Sequence, residues 1–359
     1  MKAPITNTGT RMWRILNGPQ ELGHGPAFWT CFAAVTVIAL AYPTFGSAFG
    51  LSNIANFCLY VPMALGLSLL WGYNGVLSFG QSAFFVIAGY VYGLVAGNLS
   101  DVPGGTLVGV AAGISASALV AVVFGYFVFY GQVSGWIIPL LLLVLSLILE
   151  TFLGQTAGYQ WRVGGVLLGG YNGMTGIPSI QIGSITFVSA SAALYYLVVV
   201  LTLMIYLGLR ILVNSRYGHV VIAIRDDSER TRSLGYNVAI IQIQVFVLAA
   251  ALAGLSGVLY VSWGNYINPA STGMLMATLP VIWTAVGGRK SLVAVLVSTL
   301  ILRWLADTLA VRGGEYAFLI MGVLLLLTMV FFPEGIIMSL ARGYRRWRPK
   351  AHDVIRARQ

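Results

Sequence analysis

Charge is scarce in this 359-residue sequence: Asp, Glu, Lys and Arg make up 8% of it, against 58% hydrophobic residues. Ordinary soluble domains carry about a quarter charged residues, so composition excludes a water-soluble fold. Only two cysteines occur, Cys31 and Cys58, and both sit inside apolar runs, which excludes a disulfide framework and a thiolate metal pair. The three histidines, His24, His219 and His352, are scattered outside those runs and form neither a metal set nor a proton relay. No Gly-x-x-x-x-Gly-Lys-Ser/Thr loop is present to cradle ATP phosphates. No pairing of nucleophile and base suggests an enzyme. Carboxylates deep within several helices, the mark of an ion-coupled carrier, are missing too.

What is present is a succession of apolar stretches, each long enough to cross a hydrocarbon core about 30 Å thick. Runs such as Ile137 to Leu149 lack the alternation of a transmembrane barrel strand. The expected architecture is an all-α polytopic bundle of about ten spans, at 28–49, 51–71, 76–97, 105–130, 136–155, 187–212, 240–263, 272–287, 291–311 and 316–338. It divides into an N-terminal tail (1–27), a transmembrane domain (28–340) and a basic C-terminal tail (341–359). The polar start, Met1 to Gly25, is unlike a cleaved signal peptide, so the first apolar helix is expected to act as the insertion signal.

Charge placement sets the expected orientation. With both termini cytoplasmic, 17 of the 20 Lys and Arg residues fall inside, only Arg162 and Arg312 fall outside, and Arg303 lies within a span. The net charge of +10 therefore points to anionic lipid and not to nucleic acid, and Arg342 to Lys350, which mixes cations with aromatics, reads as an interfacial anchor. At membrane depth, Glu150 is a candidate partner of Arg162, and Arg303 and Asp307 are spaced to pair on one helix face.

One inner loop, 214–239, differs from all others. Val220, Val221, Ile224 and Leu234 recur at near-helical spacing, while Arg225, Asp226, Asp227, Glu229, Arg230 and Arg232 occupy the intervening face. This predicts short amphipathic helices outside the membrane, closed by a glycine stop at Gly235. The plain alternative is a solvated connector of alternating charge.

The pattern Ser215-Arg-Tyr-Gly218, then Ala223-Ile-Arg-Asp-Asp227, Glu229 and Leu234-Gly-Tyr236, then Ala253-Gly-Leu-Ser-Gly-Val-Leu-Tyr260, resembles the coupling-loop region of branched-chain amino acid and urea type ABC importer permeases. Trp71 to Phe85, continuing to Tyr90, is similar to that family's glycine-rich early segment, and Phe332-Pro-Glu-Gly335 to its closing motif. The resemblance covers roughly residues 55–340. It implies a multi-pass subunit of a bacterial inner (plasma) membrane importer. Its implied partners are two cytoplasmic ABC ATPase subunits, a second homologous permease subunit and a periplasmic or extracellular solute-binding protein. The chain would bind no cofactor, and ATP would be used by the partner subunits. The resemblance assigns the ATPase-coupling role to Arg216, Gly218, Ala223, Arg225, Asp226, Glu229 and Gly235, with one departure: Arg230-Thr-Arg232 stands where many members are alanine-rich. Implied solutes are branched-chain amino acids or a small amide such as urea; Val281 to Leu292 looks closer to the urea members, although amino acid members with this tryptophan form exist. The competing reading is a self-powered secondary carrier or channel for a small polar solute.

Glycine-interrupted apolar segments point to a pathway, because non-helical backbone at membrane depth is tolerated only where it is buried or lines a cavity. Gly72-Tyr-Asn-Gly75 and Gly170-Tyr-Asn-Gly173 share one tetrapeptide, compatible with an inverted repeat or with plain turn chemistry. Asn74, Ser78, Gln81 and Asn172 are the candidate pathway residues, with Ser78 and Gln81 expected on one helix face. The same small and amide residues would serve equally to fasten helices together. The long outer stretch 156–183 is either a docking surface for the binding protein or a surface loop.

Overall fold

A computed structural model describes residues 16–313, 316–332 and 334–340. Lys2, Arg11, Arg14 and Pro333 lie outside the described residues, as does the basic tail from Arg342 onward.

The architecture is all-α, with helices at each of the expected apolar segments. Helix α1 (Pro26–Ala41) opens on a proline, whose missing N–H costs nothing at a helix start. It is followed by α2 (Ala48–Leu59), α3 (Val61–Leu67), α4 (Gln81–Asn98), α5 (Gly105–Gly125), α6 (Ile138–Gly154) and α7 (Ala192–Val213). Two short helices come next, α8 (Arg216–Asp226) and α9 (Ser228–Ser233). Then follow α10 (Val238–Gly264), α11 (Met274–Gly287), α12 (Leu292–Gly313) and α13 (Tyr316–Phe331). Among the described residues, six continuous helical segments are long and apolar enough to cross a bilayer, namely Pro26–Thr44, Ala48–Tyr73, Gly105–Tyr130, Ala192–Val213, Val238–Gly264 and Leu292–Val311. Helices α6 and α11 are apolar but shorter.

Successive long helices run alternately between two ends of the bundle. At one end Asn98 Nδ2 donates to the Val163 carbonyl, and Trp263 Nε1 donates to the carbonyl of Ser52. The α7–α10 connection, the α11–α12 turn and the segment before α1 meet at the other. The core is built by α4, α5 and α10, which pack against one another more extensively than any other helices. Small residues bring these backbones together: a Cβ at Gly257 would strike the Phe85 carbonyl, and one at Gly113 would lie 2.6 Å from the Ala88 carbonyl. The outward faces of α1, α5, α6 and α13 are studded with exposed Val, Leu, Ile and Phe, the surface a hydrocarbon solvent requires.

Three expectations need correction. The helix expected from residue 76 begins only at Gln81, so Ser78 precedes it and does not share its face. Gly75 takes φ +85°, which ends the preceding helix and leaves 75–80 non-helical. The stretch 156–183 is not a bare loop: β1 (Arg162–Val163) pairs with β2 (Val166–Leu167), and β4 (Gln181–Ile182) with β5 (Ile185–Thr186). Strand β3 (Met174–Thr175) pairs antiparallel with β6 (Tyr266–Ile267). Third, Glu150 and Arg162 do not pair among the described residues; Glu150 lies beside Gly273, and Arg162 is exposed in β1. Arg303 does meet Asp307, at 3.4 Å, and also donates to Asn56 Oδ1 at 2.7 Å and lies 4.5 Å from the Tyr60 ring centroid.

Candidate functional site

The segment 214–239 folds as two capped helices. Ser215 Oγ accepts from the Gly218 N–H at the start of α8, and Asp227 Oδ1 accepts from the Arg230 N–H at the start of α9. Gly235, at φ +91°, takes the left-handed turn just beyond α9 that glycine adopts without strain. Gly218, Val221 and Ile224 are buried, while Ala223, Asp226, Asp227, Glu229, Arg230 and Arg232 are exposed. Leu234 departs from the expected apolar stripe: it is 71% exposed, because the chain has already left the helix there.

The seven coupling candidates fall into two groups. Arg216, Ala223, Asp226, Glu229 and Gly235 are exposed, Glu229 and Gly235 beside clefts that the hairpin shares with the bundle. Gly218 and Arg225 face the bundle instead. A Cβ on Gly218 would collide with the carbonyls of Leu212 and Val213, so glycine lets the chain fold sharply from α7 into α8. Arg225 Nη1 donates to the Gly72 carbonyl at 2.8 Å, and its Nε and Nη2 donate to Asp226 Oδ1 at 3.0 and 2.8 Å.

Gly72 belongs to a π-helical turn, Ser68–Tyr73, that ends the helix broken at Pro62. This turn is where the ends of several elements converge. Ser68 Oγ donates to the Arg289 carbonyl at 3.0 Å, and Tyr73 Oη lies 3.0 Å from the Lys290 carbonyl. The Arg289 guanidinium carbon lies 5.2 Å from the Trp71 ring centroid. Gly72 itself presses on the Arg289 carbonyl so closely that any Cβ would overlap it. On the far side of the α11–α12 turn, Gly335, at φ +94°, packs against Gly288. The hairpin, the Trp71–Gly75 segment, the Gly287-Gly288-Arg289-Lys290 turn and the Glu334-Gly335 pair therefore form one connected cluster.

Asn74 and Gln81 are buried, at 2% and 0% exposure, and the side-chain oxygen and nitrogen of each have no hydrogen-bond partner. Such orphaned groups cost about 1–3 kcal/mol each, and sites that tolerate them commonly serve a ligand or a moving part. Ser78 is also buried, its Oγ accepting from the Gly80 N–H at 3.2 Å. Asn172 does not join them. It is exposed in a 3₁₀ turn, Gly170–Asn172, on the strand-rich segment at the opposite end of the bundle, where Gly173 abuts Ile267 and Asn268. The two Gly-Tyr-Asn-Gly tetrapeptides take different local structures, a π-turn at a helix end and a 3₁₀ turn in a loop, although each ends on a glycine with positive φ.

Two residues at this end escape sequence reasoning. Arg210 is fully buried, with Nε donating to the Leu16 carbonyl (2.7 Å) and its Nη atoms to Tyr206 Oη (2.7 Å), Leu22 (3.3 Å) and Gly23 (2.5 Å). Its guanidinium also lies over Phe28 and Trp29. Glu21, 3% exposed, accepts from Ser291 Oγ at 2.7 Å, from the Leu292 N–H at 2.8 Å and from the Val293 N–H at 3.2 Å, placing a carboxylate on the N-terminus of α12. Tyr73 Oη lies 2.9 Å from the same carboxylate. Burial lifts the Glu21 carboxyl above the ordinary range, against the opposing pull of Ser291 and Leu292. The only sequence signal was an acid and an arginine bordering apolar segments where nothing local pairs them.

Residues 50–329 match the family described as the branched-chain amino acid transport system permease component. The chain is 25% identical over 332 residues to the high-affinity branched-chain amino acid transport system permease protein LivM of Salmonella typhimurium, covering 85% of this chain and 73% of the relative. It is 26% identical to the permease protein BraD of Pseudomonas aeruginosa (77% and 91%) and 24% identical to the ribose import permease protein RbsC of Escherichia coli (83% and 91%). No solved structure matches. On a family match spanning most of its length and a bundle of long apolar helices, this multi-pass membrane protein belongs to the branched-chain amino acid permease family.

Proposed function

We propose that this chain is the translocating subunit of an ATP-binding-cassette importer for branched-chain amino acids, driven through its α8–α9 hairpin by separate ATPase subunits. The observation that carries the reading is the Arg225–Gly72 hydrogen bond, which ties the hairpin to the break in a bundle helix. An ATPase that shifts α8 pulls directly on the Ser68–Tyr73 turn, and through Ser68 and Tyr73 on the α11–α12 turn. Arg216, Ala223, Asp226, Glu229 and Gly235 then form the surface the ATPase grips, while Gly218 and Arg225 transmit the motion. Asn74, Ser78 and Gln81 line the pathway near this turn. Asn172 belongs to the outer face, where the strand-stitched segment 156–183 receives a solute-binding protein. A second permease subunit completes the pore, the chain crosses the inner membrane ten times, and both termini are cytoplasmic.

The family description and the relatives LivM and BraD support an amino acid as solute, while RbsC is a ribose permease and none of the three is a urea permease. The test is leucine uptake by vesicles holding the complete transporter. The double variant Arg225→Ala/Glu229→Ala is expected to insert normally and to lose ATP-driven uptake. Normal uptake by that variant, or accumulation against a gradient with no ATPase present, would overturn the assignment; the latter outcome is what a self-powered carrier gives.

A further inference from the structure

Two cavities join beside the first helix. The narrower, of about 440 Å³, lies between α1 on one side and α2, α7 and α12 on the other, and its lining is apolar, with Phe32, Val35, Cys58, Val199, Leu296 and Leu300 among its walls. The wider, of about 770 Å³, lies at the end of the bundle opposite the hairpin, between the turn Tyr42–Thr44, the start of α2 and the end of α12. Ile54 and Phe57 line both, so the two form one groove.

The narrow part exists because α1 is fastened at its ends and buries no residue between them. At one end Tyr195 Oη and Tyr196 Oη donate to the carbonyls of Ala39 and Leu40, at 2.6 and 3.1 Å. At the other, the Arg210 guanidinium carbon lies 4.8 Å from the Phe28 ring centroid and 5.1 Å from that of Trp29. From Phe28 to Ala39 the slot follows α1 for about 16 Å, at 1.5 Å per residue, so its cross-section averages about 27 Å². A helix about 10 Å across does not enter such a slot, whereas a single hydrocarbon chain does. Water finds no partners in so apolar a space.

The wide part has the opposite character. Tyr42 and Trp304 border it, the residue types that gather at headgroup level. Asp307 lines it with a side chain 43% exposed, and accepts from Arg303 through Oδ1 alone, at 3.4 Å, which leaves Oδ2 open to a donor. Among the described residues the Asn53 amide, Tyr42 Oη and Trp304 Nε1 make no hydrogen bond. A Cβ at Gly50 would overlap Tyr42 Oη, so glycine leaves that hydroxyl its place in the cavity. No Lys or Arg is among the described residues that line this space. An acceptor for a cation, neutral donors for oxygen atoms and a dry slot for one alkyl chain therefore follow one another along the groove.

We propose that this groove holds one phospholipid with a primary-ammonium headgroup, of the phosphatidylethanolamine class. Asp307 takes the ammonium group, Asn53, Tyr42 and Trp304 donate to the phosphate and ester oxygens, and one acyl chain fills the slot behind α1. A choline headgroup brings a cation with no N–H for Asp307, and an anionic headgroup meets that carboxylate with no lining cation to offset it. The lipid supplies the packing that α1 lacks, and the site is independent of which solute the protein moves.

The experiment is native mass spectrometry of the delipidated full chain in detergent, titrated with phosphatidylethanolamine, phosphatidylcholine and phosphatidylglycerol of identical acyl chains. One phosphatidylethanolamine per chain is expected, bound at least fivefold more tightly than either of the others. Asp307→Asn is expected to abolish that preference while the lipids still bind, and Asn53→Leu to weaken all three at least threefold; the second variant decides the headgroup site if the first does not fold. Val297→Trp, which fills the slot from its partly exposed side, is expected to weaken all three at least fivefold. Equal affinity for the three lipids, a preference for phosphatidylglycerol, or wild-type binding in every folded variant would overturn the site. A second copy of the chain bound in place of lipid would assign the groove to a protein contact and overturn it as well.

Discussion

Arg210 illustrates how one side chain organises the hairpin end. Among the described residues it pairs with no acid; its charge is solvated by backbone carbonyls of the segment before α1 and by two aromatic faces. Replacing it with methionine would leave those carbonyls unpaired in a buried place, and Arg210→Met is expected to destabilise the protein by about 3 kcal/mol. Thermal unfolding in detergent, together with faster proteolysis within residues 16–25, checks this. Glu21 adds a pH dependence. Because burial raises its pKa in the folded protein, the folded state holds the proton more tightly than the unfolded state. Docking of the 16–25 segment is therefore tightest below the ordinary carboxylate range and loosens as pH rises through the elevated value. Hydrogen exchange of residues 16–25 measured across that window should show falling protection, and Glu21→Gln should flatten the dependence.

Among the elements, the hairpin and the π-turn were legible in the sequence to different degrees. Alternating apolar and charged residues announced α8 and α9, and Gly235 announced their end, because helix periodicity and glycine stops are local properties. The direction in which Arg225 points was not local. It follows from the contact with Gly72, more than 150 residues away, and it turns an expected ATPase contact into a link between hairpin and bundle. Gly72 likewise read as a turn glycine, yet its role is close approach to Arg289. Gly72→Ala is expected to push the two turns apart, at a cost of about 1–3 kcal/mol of overpacking. ATP-driven uptake should fall more than stability does; a variant with the reverse pattern would show the contact to be packing alone. Ser78 was misplaced onto a helix because its neighbours are apolar, and apolar runs do not show where a helix starts.

Across the whole molecule, orientation is the property most open to a direct test. With Cys31 and Cys58 replaced, single cysteines at Ser228 and at Gly176 should react from opposite sides of sealed vesicles, Ser228 from the face carrying both termini. Labelling of both from one side would break the alternation on which the importer reading depends.

Composition determined that the chain lives in a bilayer, where a backbone is satisfied only within helices or a closed barrel, and unbroken apolar runs such as Ile137 to Leu149 chose the helices. Sequence motifs identified the family and the hairpin. Only the tertiary structure decided that these motifs, separated by up to some 260 residues, form one cluster at one end of the bundle, and that Asn74 lies buried without partners. The physical reason is range: periodicity and capping act within a few residues, whereas close packing of glycines and hydrogen bonds to distant carbonyls exist only after the helices have come together.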